Sequence, residues 1–434
     1  MREVSSWGRL SHQPHDVVEL TDRTAVARAL AEGGADGAKG IAHGLGRSYG
    51  DEALNPNGRL WSTRGLDKLI AFDETTGRLT CEAGVVLREI QRLMLPRGWS
   101  LAVVPGTQFV TVGGAIANDV HGKNHHHTGT FGDHVVQLTL VRTTGEVVEC
   151  RRDLNPDWLA ATVGGLGLTG LIVQAELQLK RSTGPWLDAE TVPYAGLDEF
   201  FALSGEGENE WEHTVSWIDC TAADLKGLFM RARPAADQSR AVSKGRNLVM
   251  PFTPPLSLVN RLSLKPLNAT YYAMGVRKRG LQTVPQEPFL YPLDAISDWN
   301  RAYGPSGFYQ YQSVVPPESA RAATAEMLKA IAASGEGSVL AVLKTFGDIA
   351  PKGLLSFVKP GVTLALDFRN LPATLALFER LDAIVREAQG RIYPAKDARM
   401  PRALFEQTYP GLGAFAAYRD PGMSSAMSRR LMGS

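Results

Sequence analysis

Residues 105–124 read Pro105-Gly106-Thr107-Gln108-Phe109-Val110-Thr111-Val112-Gly113-Gly114-Ala115-Ile116-Ala117-Asn118-Asp119-Val120-His121-Gly122-Lys123-Asn124. The apolar run 101–104 before them predicts a strand. The two central glycines then predict a helix start, where the backbone can approach a bulky ligand and free N–H groups favour an anion. An earlier glycine cluster reads Gly44-Leu45-Gly46-Arg47-Ser48-Tyr49-Gly50. Two such loops predict a large cofactor that carries a diphosphate.

Composition narrows the class of protein. The 434 residues are 44% hydrophobic and 21% charged, with a net charge of +1, which is typical of a globular protein and argues against a nucleic-acid partner. Residues 1–20 lack the apolar region of a secretory signal, and the three cysteines are widely spaced. We therefore expect a cytoplasmic protein without a disulfide framework.

The length of the chain predicts two or three domains, and periodicity predicts an α+β or α/β cofactor domain at the start of the chain. Before residue 184 it predicts strands at 59–61, 78–82, 137–142, 146–150 and 171–179, and helices at 24–32 and 87–97. After a break at 181–185, it predicts strands at 213–218, 308–315, 339–345 and 363–367, and helices at 318–333 and 374–388. This second pattern favours a sheet covered on one face by helices. We expect domains at 1–184 and 185–390, with a segment at 391–434 that returns to the first.

One segment departs from the average composition. Residues 226–279 contain eleven Lys and Arg residues and one acid, Asp237, with apolar residues and prolines interleaved. A mobile segment of this kind could contact an anionic membrane surface or a phosphorylated lipid. A solvated loop with local ion pairs is an equally good interpretation.

Two motifs are weaker than they look. Gly165-Leu166-Gly167-Leu168-Thr169-Gly170 has the spacing of a dinucleotide-binding loop, but a predicted helix precedes it and a predicted strand follows, the reverse of the required order. His125-His126-His127 lacks the spacing that brings histidines onto one metal ion, so we expect no metal site.

Several polar residues are candidates for ligand contact. Gln310 and Gln312 share one face of a predicted strand, where amides suit hydroxyl recognition, although a solvent-facing pair is equally consistent. Lys344 is a candidate phosphate contact or a rim charge, and Lys396 follows Tyr393 in a segment that could point into a pocket.

Several motifs in order resemble the FAD domain of the vanillyl-alcohol oxidase/p-cresol methylhydroxylase (PCMH) superfamily, and within it the decaprenylphosphoryl-β-D-ribose 2′-oxidase family. They are Gly44-Leu45-Gly46-Arg47-Ser48-Tyr49-Gly50-Asp51, Pro105-Gly106-Thr107, Thr111-Val112-Gly113-Gly114, His121-Gly122-Lys123-Asn124 and Gly167-Leu168-Thr169-Gly170. The likeness continues through Trp299 to Pro305, Tyr393 to Asp397 and Met427 to Leu431. It implies a PCMH-type FAD domain formed by both ends of the chain, and an antiparallel-sheet substrate domain between them.

The resemblance also implies roles for individual residues. FAD would contact Gly44, Leu45, Gly46, Arg47, Ser48, Tyr49, Gly50, Asp51, Gly106, Thr111, Val112, Gly113, Gly114, His121, Gly122, Lys123, Asn124, Ile172 and Tyr393. Arg47 stands where covalent flavoproteins of the superfamily carry the linking histidine, so we expect dissociable FAD. Ala365 stands where mycobacterial relatives carry a cysteine that nitroaromatic inhibitors trap, which puts such trapping in doubt.

The implied reaction is oxidation of the 2′-hydroxyl of a polyprenylphosphoryl-β-D-ribose, which a short-chain NAD(P)-dependent reductase would complete to an epimerisation. Lys396 and Tyr49 are the candidate bases, His121 would position flavin or sugar, and Gln310, Gln312, Lys344 and Lys396 would hold the substrate. Two alternatives remain: an FAD oxidase of a soluble sugar alcohol, sugar acid or natural-product alcohol, and a non-catalytic lipid-binding protein.

Overall fold

The computed structural model describes residues 1–35, 38–206, 210–241 and 248–433. Before residue 184, the elements are β1 (Arg2–Val4), β2 (Gln13–Glu19), α1 (Val26–Ala35), β3 (Gly40–His43), β4 (Arg59–Ser62), β5 (Leu69–Asp73), β6 (Arg78–Glu82), α2 (Leu87–Met94), β7 (Trp99–Ser100), α3 (Val112–Ala117), α4 (His125–Thr128), β8 (Val135–Val141), β9 (Val147–Arg151), α5 (Pro156–Thr162), β10 (Leu171–Gln178) and β11 (Lys180–Arg181).

After residue 184, the elements are β12 (Trp186–Tyr194), α6 (Gly196–Gly205), β13 (His213–Ile218), β14 (Gly227–Pro234), β15 (Leu248–Val249), α7 (Arg261–Arg277), β16 (Gly280–Pro285), α8 (Gln286–Leu290), β17 (Ile296–Ser297), β18 (Phe308–Val315), α9 (Pro317–Ser334), β19 (Ala341–Phe346), β20 (Gly361–Arg369), α10 (Pro372–Glu387), β21 (Arg391–Ile392), α11 (Arg402–Thr408), α12 (Leu412–Phe415) and α13 (Ala426–Met432). Every strand and helix predicted from periodicity is present, with ends that shift by a few residues, except the strand predicted at 101–104.

The strand predicted at 101–104 is wrong. These residues are buried but form no strand, and side chains take up part of their backbone hydrogen bonding. The Leu101 N–H donates to Gln91 Oε1 at 2.8 Å, and the Ala102 carbonyl accepts from Asn124 Nδ2 at 2.8 Å. A buried apolar run therefore does not require a neighbouring strand when polar side chains can bind its backbone.

The described chain combines helices with largely antiparallel sheets. One four-stranded sheet has the order β1-β2-β4-β3, and a five-stranded antiparallel sheet has the order β5-β6-β10-β8-β9. The largest sheet is antiparallel throughout, with the order β16-β12-β14-β13-β19-β20-β18-β21. The α+β prediction is thereby confirmed.

The two faces of the eight-stranded sheet differ in what covers them. Tyr309 and Tyr311 on β18 contact the ring of Phe378 on α10, at centroid distances of 5.7 and 5.1 Å. Gln310 and Gln312, which alternate with them, face a cavity on the other side. The expectation that helices cover only one face is wrong, because α7 packs on the cavity side, where Tyr271 lies 4.8 Å from the Trp217 ring.

The basic segment 226–279 is mostly regular structure. Residues 227–234 form β14 inside the large sheet, and residues 261–277 form α7, so the interpretation as one loop is wrong for both. Residues 242–247, which include Lys244 and Arg246, lie outside the described residues. Within the part of the chain that the structure describes, no helix combines the length and apolar character needed to cross a bilayer.

The C-terminal segment is bound to the N-terminal residues. Arg430 contacts Asp51 at 2.7 Å and Asp397 at 3.0 Å, and the Asp397 side chain is only 3% exposed. The Thr143 N–H donates to the Asp420 carboxylate at 2.7 Å, and the Ser424 N–H donates to the Gly40 carbonyl at 2.7 Å. These contacts span most of the chain length and fix the loop that contains Asp51.

We expect Arg430→Met to lower the free energy of unfolding by about 3 kcal/mol, because it leaves two mostly buried carboxylates without their shared cation. Urea unfolding followed by circular dichroism measures the change. The matched control is Arg402→Met, whose exposed pair with Glu406 predicts a loss of at most about 0.5 kcal/mol. Equal losses in the two variants would contradict the role given to Arg430.

Candidate active site

A cavity of about 500 Å³ lies against the polar face of the eight-stranded sheet. Its other walls come from the glycine cluster at 44–49, the segment 104–123 and the turn before β10. Both glycine-rich loops quoted from the sequence therefore meet at one site. The helix–turn–strand order around 165–170 is as predicted, and Gly167 and Gly170 line the cavity.

The first loop supplies backbone donors. The N–H groups of residues 44–48 have no hydrogen-bond acceptor among the described residues, whereas the Tyr49 N–H donates to the Ala395 carbonyl at 3.0 Å. Gly46 has a φ of +61°, a conformation that glycine adopts without strain. A run of uncommitted N–H groups beside a cavity suits an anion such as a diphosphate.

The second glycine-rich loop, around residues 111–114, packs closely against the first loop. Thr111 caps α3 by accepting a hydrogen bond from the Gly114 N–H at 3.2 Å. The N–H groups of Val112 and Gly113 donate to the carbonyls of Val85 and Ala83, so the expectation of free N–H groups at this helix start is wrong. A Cβ on Gly44 would lie 2.5 Å from Thr111 Oγ1, which shows how tightly the two loops pack.

Two buried polar atoms at the cavity have no protein partner. Asn118 Oδ1 and His121 Nδ1 make no hydrogen bond among the described residues, and both residues line the cavity. The Gln312 amide nitrogen lies 3.1 Å from His121 Nε2, so that ring nitrogen accepts and the proton is assigned to Nδ1. Burial holds the pKa of His121 well below its usual value, so the ring is neutral. Such atoms fit a hydrogen-bonding ligand.

Three lysines line the same cavity without a carboxylate in ion-pair range in the described chain. They are Lys123, Lys344 and Lys396. Lys123 Nζ donates to the Leu290 carbonyl at 2.7 Å and Lys344 Nζ to the Gly122 carbonyl at 3.3 Å. Burial lowers the pKa of Lys123 to about 7, and those of Lys344 and Lys396 to about 8. Cations held this way suit an anionic ligand.

The two candidate bases differ in protonation. Lys396 Nζ lies 3.9 Å from the centroid of the Tyr49 ring. Burial raises the pKa of Tyr49 well above its usual value, so the phenol keeps its proton, whereas burial moves Lys396 toward the neutral amine. On pKa, Lys396 is the better base of the two.

The sheet contributes amides from β18 and small side chains from β20. Gln310 and Gln312 are 7% and 5% exposed, so the solvent-facing alternative is wrong. Gln310 Nε2 donates to Asp367 at 2.6 Å, which leaves the Gln310 carbonyl oxygen to act as an acceptor. Ala365 also lines the cavity, so the position compared with the cysteine of relatives does face the site.

Most of the predicted site residues line the cavity. Those that do so are Gly44, Leu45, Gly46, Arg47, Ser48, Tyr49, Gly106, Thr111, Gly113, Gly114, His121, Gly122, Lys123, Ile172, Gln310, Gln312, Lys344, Tyr393 and Lys396. Gly50, Asp51, Val112 and Asn124 do not line it.

These four residues support the walls of the cavity. Asp51 binds Arg430, Asn124 binds the backbone of residue 102, and Val112 is fully buried in the core. A Cβ on Gly50 would lie 1.7 Å from the Asp397 carbonyl oxygen, so this glycine serves packing.

Trp7 and Asn118 line the cavity and Asp367 binds Gln310, and none of the three was predicted as a site residue. The Arg47 guanidinium lies 4.1 Å from the Trp7 ring centroid. Asp367 was detectable as a lone acid within the apolar strand β20, and burial raises its pKa to about 7. Nothing in the local sequence distinguishes Trp7 or Asn118. Among the described residues, no group of His, Cys, Asp or Glu could hold a metal ion.

Comparison with known proteins defines the class of protein to which this chain belongs. Residues 14–151 match the family described as FAD binding domain. The chain is 34% identical over 455 residues to the decaprenylphosphoryl-β-D-ribose oxidase of Mycolicibacterium smegmatis, covering 99% of this chain and 97% of that protein. It is 29% identical to an uncharacterized protein in the mprA 5′ region of Streptomyces coelicolor, covering 80% of this chain and 100% of that protein.

A shorter match involves the L-gulonolactone oxidase of Mus musculus, at 29% identity over 38% of this chain and 36% of that protein. The fold and the matches define an FAD-dependent oxidase. The chain belongs to the decaprenylphosphoryl-β-D-ribose oxidase family, as its motifs led us to expect.

We expect Gly44→Ala to weaken FAD binding about tenfold or more, because its methyl group would displace the Thr111 side chain from the cavity wall. The visible flavin absorbance retained after gel filtration measures this. Gly413→Ala is the control, since its methyl group meets nothing within 4 Å. Full flavin retention in the Gly44 variant would contradict the close packing of the two loops.

Proposed function

We propose that this chain oxidises the 2′-hydroxyl of a polyprenylphosphoryl-β-D-ribose to the 2′-keto sugar, the first half of an epimerisation toward the arabinose precursor. One observation carries the proposal: Lys123, Lys344 and Lys396 line the same cavity as Gln310 and Gln312. Lys344, as a buried cation without a carboxylate in ion-pair range among the described residues, suits a phosphodiester, Lys396 can act as the base, and buried amides suit sugar hydroxyls. The substrate named for the Mycolicibacterium smegmatis relative has both groups.

FAD would be held by the backbone of residues 44–48, the close wall at residues 113 and 114, and His121 and Asn118. The uncommitted donors and acceptors of these residues fit its diphosphate and its heterocycles. When bound, FAD supplies a hydride acceptor for the carbinol carbon. Arg47, at the position of the linking histidine in covalent relatives, has no nucleophilic ring nitrogen, so the FAD is dissociable.

Lys396 takes the proton of the substrate hydroxyl on Nζ. Its pKa of about 8 supplies a useful fraction of neutral amine near neutral pH. Gln310 and Gln312 orient the sugar, and Gln312 also fixes the His121 ring. Lys344, held at the Gly122 carbonyl, faces the phosphate.

We propose that the chain has the two-domain arrangement of the PCMH type. An FAD-binding domain at 1–184 and the segment 391–434 enclose the cavity together with an antiparallel substrate domain at 185–390. Support comes from the contacts of the C-terminal segment with the first 150 residues, and from an eight-stranded sheet built almost wholly between 186 and 369. We also propose a cytoplasmic location at the inner membrane, and a short-chain NAD(P)-dependent reductase as the partner that consumes the keto sugar.

The partial match to an L-gulonolactone oxidase favours one second candidate, a soluble sugar alcohol, sugar acid or natural-product alcohol as substrate. Anaerobic bleaching of the visible flavin band separates the two. We expect bleaching by prenylphosphoryl ribose and none by free polyols at equal concentration. Bleaching by soluble polyols alone would overturn the lipid-linked substrate.

We expect Lys396→Ala to lower kcat by about 10²- to 10⁴-fold, the contribution typical of a general base, while bound flavin is retained. Lys329→Ala, on the exposed side of α9, is the control and should keep full activity. Flavin content and steady-state turnover are measured on the same preparations. Unchanged turnover in the Lys396 variant would remove this lysine from the mechanism.

The pH profile gives an independent test. Because burial lowers the pKa of Lys396 to about 8, the neutral amine accumulates as pH rises through that value. We expect kcat at saturating substrate to increase with pH and to level off above about 8, because the bound phosphodiester holds Lys344 protonated while Lys396 loses its proton. A profile that falls over this range would contradict a lysine base.

A further inference from the structure

Exposed apolar side chains are concentrated in one stretch of the chain. Among the described residues, eleven large apolar side chains that are exposed lie between 248 and 296, against five in the rest of the chain. The most exposed of these eleven side chains are Leu262 at 89%, Leu256 at 79% and Phe252 at 62%. Scattered exposed apolar residues are ordinary, but a contiguous group marks a surface that another body covers.

Helix α7 carries apolar residues on its exposed side. Leu264 and Asn268 face the protein, and Asn268 Nδ2 donates to Asp219 at 2.9 Å. The helical period places Leu262, Ala269 and Ala273 on the opposite side, and all three are exposed. The outer side of this helix therefore carries apolar residues as far as Ala273, with Arg277 in the last turn, where a solvent-facing helix would be polar throughout.

The charged residues within one part of this stretch have one sign. Residues 248–281, which we call the acid-free surface, contain no Asp or Glu. Lys265, Arg277, Lys278 and Arg279 are exposed, and none of them forms an ion pair within the described residues. Apolar side chains surrounded by unpaired cations complement a layer that is anionic outside and apolar within.

The acid-free surface also borders the cavity. Leu248 pairs with Ile296 between the parallel strands β15 and β17, and Ile296 lines the cavity. On β13, Trp217 contacts α7 and Val215 lines the cavity, so both lie on the same face of the large sheet.

We propose that the acid-free surface docks this protein on an anionic lipid bilayer, with the cavity beside the membrane. The occupant is the bilayer rather than a second copy of the chain, because two acid-free surfaces would repel each other. This inference rests on the proposed function in one respect. Docking would let a lipid-linked substrate reach the cavity while the prenyl tail of the substrate stays in the membrane. Docking itself requires no turnover.

The test is flotation of the full FAD-loaded chain with vesicles of phosphatidylglycerol and phosphatidylcholine, compared with vesicles of phosphatidylcholine alone. We expect binding to the anionic vesicles that weakens as salt is raised. Leu256→Glu combined with Leu262→Glu should weaken binding about tenfold or more, because two apolar contacts become charges of the wrong sign. Val147→Glu combined with Leu154→Glu is the matched control, since both side chains are exposed on another part of the chain.

Absence of vesicle binding, or equal binding by the two double variants, would overturn the proposal. A dimer seen by sedimentation velocity that Leu256→Glu with Leu262→Glu dissociates, without vesicle binding, would assign the surface to a second copy instead. Turnover of detergent-dispersed prenylphosphoryl ribose is measured in parallel. Lost docking with intact turnover refutes this inference alone, whereas intact docking without turnover refutes the proposed function alone.

Discussion

Polar groups left without protein partners at one cavity are the constraint from which the rest of the site follows. The N–H groups of residues 44–48, His121 Nδ1 and Asn118 Oδ1 have no partner among the described residues. Leaving the two buried side-chain atoms, His121 Nδ1 and Asn118 Oδ1, unsatisfied costs about 1–3 kcal/mol each. Atoms of this kind that face a cavity favour a ligand that completes their hydrogen bonds. The family assignment identifies that ligand as FAD.

The alternation of side chains along the strands of the eight-stranded sheet places the proposed substrate-binding residues at the same cavity. On β18, aromatic side chains pack against α10 while Gln310 and Gln312 face the cavity. Lys344 reaches the cavity from β19, and Lys396 reaches it from a short turn that follows β21. A register shift of one residue in β18 would exchange the amides for tyrosines. Hydroxyl recognition therefore depends on the same packing that forms the core.

Much of this site was predictable from the sequence, because glycine clusters and strand alternation are local signals that neighbouring residues carry by themselves. The glycine clusters at 44–50 and 113–114 indicated a cofactor, and alternation placed Gln310 and Gln312 on one face. The mechanism expected at the helix start was wrong, since the first N–H groups of α3 bind Ala83 and Val85, and the donors that remain free belong to the first loop. Sequence could not show this, because those carbonyls come from a segment that the tertiary fold brings in. For the same reason Asn118 was not predicted as a site residue.

The most direct measurement is a titration of the flavin-free protein with FAD and with riboflavin, followed by flavin fluorescence. Riboflavin lacks the diphosphate for which the N–H groups of residues 44–48 are the proposed donors. The account predicts stoichiometric FAD binding and riboflavin binding at least about a hundredfold weaker, since two or more charge-assisted hydrogen bonds are lost. Equal affinities for the two flavins, or no binding of either, would contradict it.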